Sequence, residues 1–222
     1  MRAEYIDHLG DDLRVVNAAR VSFNKESKWE ADHSVRQELS DKDKKLIKYL
    51  SNNNHFTPFT HPIITIRETV PIFVARQRFK HVVGFTYNEV SRRYVTDDRE
   101  YFRPDRWRKS AENVKQGSSE EPIDTPSYGD MFLEKVIDTC EYHYKQLLKE
   151  GVCPEQARMV LPQCLYTSYY VTGSLAAWAR AYQLRIDKHA QREIQILAEE
   201  WSKIIEPLFP VSWNALTNDL KS

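Results

Sequence analysis

The residues with the clearest chemical potential in this chain are concentrated between positions 76 and 94. Five cationic side chains lie in this segment: Arg76, Arg78, Lys80, Arg92 and Arg93. Its single carboxylate is Glu89, and Asn88, Ser91 and Tyr94 add hydrogen-bonding groups near the last two arginines. Because guanidinium and ammonium groups bind phosphate oxygens through charge-assisted hydrogen bonds, the segment predicts a local site for a phosphate or another anion.

Two other interpretations of the same segment stay open. Arg76 and Lys80 are four residues apart and would share one face of a helix, which also describes an ordinary solvated surface. Alternatively, Tyr87 and Tyr94 could stack on bases while the arginines hold the backbone of a nucleic acid. Ser91 suits donation to a phosphate better than nucleophilic attack, since a serine becomes a nucleophile only with a general base in reach.

The whole chain provides no electrostatic field that would attract an anionic polymer or membrane. Its 222 residues contain 32 Lys and Arg against 32 Asp and Glu, for a formal net charge of +0. This balance disfavours nucleic-acid and membrane binding. With 41% hydrophobic residues, residues 1–222 can form a single domain with its own core.

The cysteines and histidines do not form the patterns of disulfide or metal sites. Cys140, Cys153 and Cys164 contain no C-x-x-C pair, and His55 and His61 lack the spacing of zinc ligands. No stretch has the length and apolarity of a membrane span or the apolar core of a signal peptide. We therefore expect a cytoplasmic protein without a metal site.

Apolar periodicity and end signals predict an α+β fold that is mostly helical, with a small β-sheet. Before residue 96 they predict the following elements: a helix from Asp12 to about Phe23, a helix capped by Ser40 and Asp43 and ending near Asn52, a β-branched strand from Ile63 to Val70, and a helix from Pro71 toward Val83. Residues 96–126 are polar and turn-rich, so we expect a mobile loop there. Four more helices are predicted after it: Met131 to Leu148, Pro154 to Val160, one through Leu175 and Tyr182, and one carrying Ile194 and Ile204.

The segment at residues 88–94 reads N-E-V-S-R-R-Y and resembles half of the signature of flavin-dependent thymidylate synthases. Other segments are similar to the same family in the same order: A-A-R-V-S-F at 18–23, H-F-T-P-F at 55–59, P-I-F-V-A-R-Q at 71–77, A-R-M-V-L-P at 157–162 and L-R-I-D-K-H-A-Q at 184–191. The resemblance covers most of the chain, from about Asp12 to Trp213.

This resemblance implies an enzyme that converts deoxyuridylate (dUMP) to thymidylate (dTMP). It implies bound FAD, 5,10-methylenetetrahydrofolate as carbon donor, NADPH as reductant, and no nucleophile from the protein. It also implies a homotetramer with active sites at subunit interfaces. A dUMP phosphate and an FAD pyrophosphate both suit the basic segment described above.

The resemblance also assigns roles to individual residues. Arg185 is the implied catalytic residue, because it would favour ionisation of the uracil ring. The implied dUMP-binding residues are Gln77, Arg78, Lys80, Glu89, Val90, Ser91, Arg92, Arg93, Arg158 and Arg185. The implied FAD-binding residues are Ser22, Thr57, Lys80, His81, Val82, Glu89, Ser174, Arg180, Leu184 and His189.

The chain departs from the family pattern where the signature opens. The family usually has R-H-R, whereas this chain has Lys80, His81 and Val82, followed by one extra residue within 83–86. Lysine keeps the charge but loses the planar fork of arginine. Arg78 is expected to compensate in part. These departures leave a third interpretation open, a degenerate family member that binds nucleotide without turnover.

Overall fold

The computed structural model describes residues 1–31, 37–96, 99–111, 118–123 and 127–218. The α-helices in these ranges are α1 Asp12–Arg20, α2 Asp41–Asn52, α3 Ile72–Arg78, α4 Ser127–Lys149, α5 Pro154–Ala157, α6 Leu175–Ile186, α7 Arg192–Ile205 and α8 Pro210–Thr217. The strands are β1 Arg2–Leu9, β2 Glu30–Ala31, β3 Gln37–Glu38, β4 Ile63–Pro71, β5 Phe85–Glu89, β6 Arg108–Ser110, β7 Ser118–Pro122 and β8 Tyr166–Ser174. Short 3-10 helices cover Val21–Phe23, Thr57–Thr60 and Arg158–Val160. The predicted α+β class is confirmed.

A four-stranded antiparallel sheet forms the framework of the molecule, in the order β1-β4-β8-β5. Its register places Ile66 opposite Val171 and Val171 opposite Tyr87. Because side chains alternate between the two faces of a strand, Glu68 of β4 and Tyr87 of β5 share the face that carries Ile66. That face is covered by helices, so Glu68 becomes a buried carboxylate.

The helices on this face contribute most of the core. Along α7, Ile194, Leu197, Trp201 and Ile205 are all fully buried, with the three- and four-residue spacing of an amphipathic helix. Trp178 of α6 is buried too, and its indole N–H donates to the carbonyl of Ile64 at 3.2 Å. Burial of these large apolar side chains is the main source of stability. None of the helices in the described ranges has the length and apolar character needed to cross a bilayer.

The helix predicted from Ser40 is confirmed with its cap. The Ser40 hydroxyl accepts from the backbone N–H of Asp43 at 3.2 Å and donates to the Asp43 carboxylate at 2.9 Å. Arg20 donates to the same carboxylate from α1 at 2.6 Å. The cap therefore joins the start of α2 to the end of α1.

The helix predicted from Pro71 is shorter than expected. It ends at Arg78, and Val82 and Val83 lie in an exposed turn. Gly84 then takes a φ of 79°, a left-handed conformation that favours glycine, directly before β5 begins at Phe85. Arg76 and Lys80 therefore do not share one helix face, and that expectation was wrong.

The segment at 96–126 contains ordered structure in its described parts. Tyr101 forms a β-bridge with Leu165, and β6 pairs with β7. The residues at 97–98, 112–117 and 124–126 lie outside the described residues. Whether this segment moves stays a prediction, as does the single domain over residues 1–222.

Candidate functional site

The ends of α3 and α6 bring His81 and Arg185 into direct contact. The Nε of Arg185 donates to Nε2 of His81 at 2.8 Å, and its Nη2 donates to the carbonyl of Gln77 at 3.5 Å. His81 is only 7% exposed. Two residues that the resemblance assigned to different ligands thus form one hydrogen-bonded pair, although they are 104 positions apart.

The surroundings of this pair keep the imidazole neutral. Burial, together with the charges of Arg185, Arg78 and Arg180, lowers the pKa of His81 from 6.5 to about 4. Because a guanidinium only donates, Nε2 of His81 must accept, and the ring proton of the neutral imidazole lies on Nδ1. Burial and the charge of Arg78 also lower the pKa of Arg185.

Arg185 has no carboxylate partner in the part of the chain that the structure describes. Its hydrogen-bond acceptors are a neutral imidazole and a backbone carbonyl. A partly buried cation without a counter-ion is electrostatically costly. The position is therefore suited to an anionic ligand.

Arg78 does not contribute to a ligand site, which corrects its predicted roles in binding dUMP and in compensating for Lys80. Its side chain is fully buried, and its Nε donates to Glu68 at 3.0 Å. Its Nη1 donates to the hydroxyl of Tyr87 at 2.6 Å. The guanidinium lies among aromatic rings: Phe85, Tyr87, Trp178 and Trp201. A ligand in solvent could not reach it.

The signature at residues 88–94 begins on β5 and ends in a turn. Asn88 and Glu89 are the last two residues of the strand. Thr167 donates to the Glu89 carboxylate at 2.6 Å, and the N–H of Val90 donates to Ser168 at 2.9 Å. The strand therefore fixes the first half of the signature.

The second half of the signature forms a compact turn around the Ser91 hydroxyl. The backbone N–H and the Nε of Arg93 donate to this oxygen at 3.3 and 3.1 Å. The guanidinium of Arg93 lies over the ring of Tyr94, and both residues are exposed. Arg92 instead donates to the carbonyl of Tyr166 at 3.5 Å. The turn leaves the Ser91 proton and the terminal nitrogens of Arg93 suited to holding a phosphate.

A cleft of about 880 Å³ opens beside the turn that follows His81. Ser174, Ala176 and Arg180 of the α6 region line it together with Val83 and Gly84. Its volume lies in the range of ligand sites, roughly 300–1,000 Å³, and its small side chains leave room for a ring system. The cleft is therefore large enough for a ligand of cofactor size.

The turn at the rim of the cleft accommodates the extra residue of this chain. Arg180 donates to the carbonyl of Val83 at 2.6 Å. A Cβ on Gly84 would lie 2.8 Å from the Cβ of Ala177, so only glycine permits this close approach. Ser174 caps α6 by accepting from the N–H of Ala177 at 3.3 Å.

Other predicted site residues are not joined to His81 or Arg185 by a hydrogen bond in the described ranges. Ser22 and Thr57 are exposed on 3-10 helices. Val82 and Leu184 are 66% and 57% exposed. His189 contacts Asp187 at 2.9 Å, and Arg158 donates to the carbonyl of Glu155 at 3.2 Å. Lys80 is exposed beside His81. Their predicted ligand contacts stay predictions.

Sequence reasoning missed Gln191, Glu193 and Arg108, which form a chain of hydrogen bonds with the predicted residue Gln77. The side-chain amide of Gln77 donates to Gln191, which donates to the buried carboxylate of Glu193 at 2.8 Å. Arg108 donates to Glu193 at 2.8 and 2.9 Å. Glu68 was missed as well, and Tyr87 was considered only as a ring that could stack on bases. A carboxylate inside the β-branched run at 63–70 was the available signal for Glu68.

Comparison with known proteins identifies the family. A family model described as "Thymidylate synthase complementing protein" matches residues 4–211. The flavin-dependent thymidylate synthase of Thermosipho melanesiensis is 38% identical over 208 residues, which cover 92% of this chain and 85% of the relative. The flavin-dependent thymidylate synthase of Thermus thermophilus is 35% identical over 215 residues, which cover 97% of this chain and 75% of the relative.

A solved structure agrees with this comparison. The crystal structure of the UMP/dUMP methylase PolB from Streptomyces cacaoi bound with 5-Br dUMP has a TM-score of 0.80 at 29% identity. The match covers 96% of this chain and 93% of that one. The resemblance first seen in residues 88–94 therefore extends to the whole fold, and this chain belongs to the family of flavin-dependent thymidylate synthases.

Proposed function

We propose that this chain is an enzyme that converts dUMP to dTMP by reductive methylation, with a bound flavin. The observation that carries the proposal is Arg185, a partly buried cation that meets a neutral imidazole and no carboxylate among the described residues. An anionic nucleotide supplies the missing counter-charge. The family relatives named as flavin-dependent thymidylate synthases support the same reaction.

The task of Arg185 is to stabilise negative charge on the uracil ring. A guanidinium beside the ring nitrogen favours loss of its proton, since an adjacent opposite charge favours the ionised form. The ionised ring is more electron-rich, so it attacks the incoming carbon without a nucleophile from the protein. Burial raises the pKa of the Cys164 thiol, which disfavours a reactive thiolate at that position.

The turn at Ser91 holds the dUMP phosphate. Ser91 donates its hydroxyl proton, while Arg93 and Lys80 supply positive charge. Glu89, fixed by Thr167, accepts hydrogen bonds from the nucleotide. These contacts orient the uracil ring toward Arg185, and correct orientation accounts for much of the rate enhancement in such reactions.

Ser174 and Arg180, which line the cleft, would hold FAD together with His81, whose Nδ1–H is available to donate. The flavin would supply the electrons for the reduction. The carbon donor is 5,10-methylenetetrahydrofolate, and the reductant is NADPH. Both co-substrates are proposed from the family resemblance.

The active site is completed in a homotetramer. Arg158 is assigned to dUMP, yet in the described part of this chain its side chain contacts its own Glu155 carbonyl and not the pair at Arg185. The neighbouring Met159 is 77% exposed. A second copy that presents Arg158 to this chain's nucleotide site explains both observations.

The experiment is an anaerobic assay with purified protein, FAD, NADPH and dUMP, in which flavin absorbance is followed before methylenetetrahydrofolate is added. Bleaching followed by dTMP formation is the expected result. A parallel reaction with UMP tests selectivity for the deoxy sugar. Reducible flavin without dTMP would identify a non-catalytic nucleotide-binding member, and failure to bind flavin would refute the proposal.

A further inference from the structure

A buried ion pair lies close to His81 and Arg185, on the core side of these residues. The Glu68 and Arg78 side chains are both 0% exposed, and Tyr169 donates to Glu68 at 2.6 Å. Such pairs are weak evidence for stability, because desolvation offsets the attraction. Their retention in a core calls for a structural reason, and the contacts of Arg78 provide one.

Arg78 fixes the direction of one hydroxyl proton. Its Nη1 donates to the Tyr87 oxygen at 2.6 Å, so that oxygen must use its own proton elsewhere. The carbonyl of His81 lies 2.7 Å from the same oxygen, whereas the carbonyl of Arg78 lies at 3.4 Å. Tyr87 therefore donates to His81 and links the buried cation to the backbone of that residue.

The N–H of His81 donates to the carbonyl of Arg78 at 3.1 Å, whereas its own carbonyl accepts from Tyr87. Helix α3 ends at Arg78, and the residues after His81 form the exposed turn at Val82 and Val83. Without Tyr87, the carbonyl of His81 would lose the one side-chain donor that it has in the described structure. The imidazole that accepts from Arg185 would then lose its fixed orientation.

We propose that Tyr87, held by the Arg78–Glu68 pair, is a positioning residue that fixes the backbone of His81 and thereby aims Arg185. This inference rests on the proposed function, since it assigns Arg185 to the substrate. The rings around Tyr87 do not require its hydroxyl: Phe79 and Phe85 lie 5.1 and 6.0 Å away between ring centroids. A phenylalanine at position 87 keeps this packing and removes the hydroxyl that both accepts from Arg78 and anchors His81.

The test compares Tyr87→Phe with Tyr169→Phe. Both variants remove one hydroxyl from the same buried cluster, but only Tyr87 contacts His81. We expect Tyr87→Phe to lower kcat about tenfold, the effect of weakening one positioning contact. The Tyr169→Phe variant should stay within about twofold of the parent.

A second measurement reports on His81 without substrate. Nitrogen-15 NMR of labelled histidines, assigned with His81→Gln, should show the Nδ1–H tautomer in the parent and in Tyr169→Phe. The Tyr87→Phe variant should shift toward the Nε2–H tautomer. If both phenylalanine variants lose the same activity, or if the tautomer does not change in Tyr87→Phe, the positioning role is refuted.

The two measurements also separate this inference from the proposed function. If the parent makes no dTMP, the proposed function fails while the tautomer still tests the anchor. If Tyr87→Phe does not fold, Arg78→Lys replaces it, because a lysine cannot contact Glu68 and Tyr87 with the geometry of the guanidinium. An unchanged His81 tautomer in Arg78→Lys would equally overturn the positioning role.

Discussion

The low pKa of His81 makes the stability of the fold depend on pH. In the unfolded chain the imidazole has its ordinary pKa of 6.5, whereas burial and three nearby arginines lower it to about 4 in the folded state. Protons therefore bind the unfolded chain more tightly. The stabilisation by the neutral imidazole is complete above pH 6.5 and is lost progressively as the pH falls through 6.5 toward 4.

The magnitude follows from the two pKa values. Each pH unit between them corresponds to about 1.4 kcal/mol. Between pH 8 and pH 5 the unfolded imidazole becomes charged while the folded one stays neutral, which lowers the free energy of unfolding by about 2 kcal/mol. Since His81 is only 7% exposed, solvent screens this effect weakly.

Urea unfolding at pH 8, 6.5 and 5 measures the effect in the parent and in His81→Gln, at one protein concentration. Glu141, whose pKa is lowered to about 2 by the hydrogen bond from Arg99, titrates below this pH range. Asp12, whose pKa burial raises, is present in both proteins and cancels in the difference. We expect the parent to lose about 2 kcal/mol more than the variant. Parallel losses in the two proteins would refute the assignment of a low pKa to His81.

Three further predictions concern the nucleotide and flavin sites. Arg185→Ala should lower kcat far more than flavin affinity, as measured by turnover and flavin titration; normal turnover would exclude its catalytic role. Ser91→Ala should weaken dUMP binding by about 1–2 kcal/mol in calorimetry while turnover persists, and complete loss at saturating dUMP in a folded variant would favour a nucleophilic serine. Gly84→Ala should lower the free energy of unfolding by about 1–3 kcal/mol and reduce flavin retention. Gly151→Ala is its control, because Gly151 has a φ of 87° but no atom within 4 Å of an added Cβ; equal losses in flavin retention would contradict the contact with Ala177.

Local signals in the sequence were sufficient to predict the elements whose ends carry strong markers. The cap at Ser40 and the β-branched run at 63–70 were both read correctly, because their determinants lie within a few residues. Strands β1, β5 and β8 were missed. In β8, six of the nine residues are tyrosine, threonine or valine, types that are enriched in strands, so its composition was an available signal.

The site was predictable as a set of residues but not as a geometry. His81 and Arg185 were both named, yet their contact depends on how α3 and α6 approach each other. The count of cations in 76–94 treated Arg78 as a surface charge, whereas the register of the sheet places Glu68 where it draws that guanidinium into the core. Only the three-dimensional fold distinguishes a buried cation from an exposed one.

Because Arg78 is buried, it acts on the site through its electrostatic field and not by contact with a ligand. Its buried charge helps to lower the pKa of His81, so the imidazole stays neutral near pH 7. A protonated His81 would have no lone pair for Arg185 and would repel it. A carboxylate in the same place would accept from Arg185 but would also neutralise the charge that the uracil anion requires. A neutral acceptor is the arrangement that both orients Arg185 and preserves its charge, and Arg78 helps to keep His81 in that state without touching either ligand.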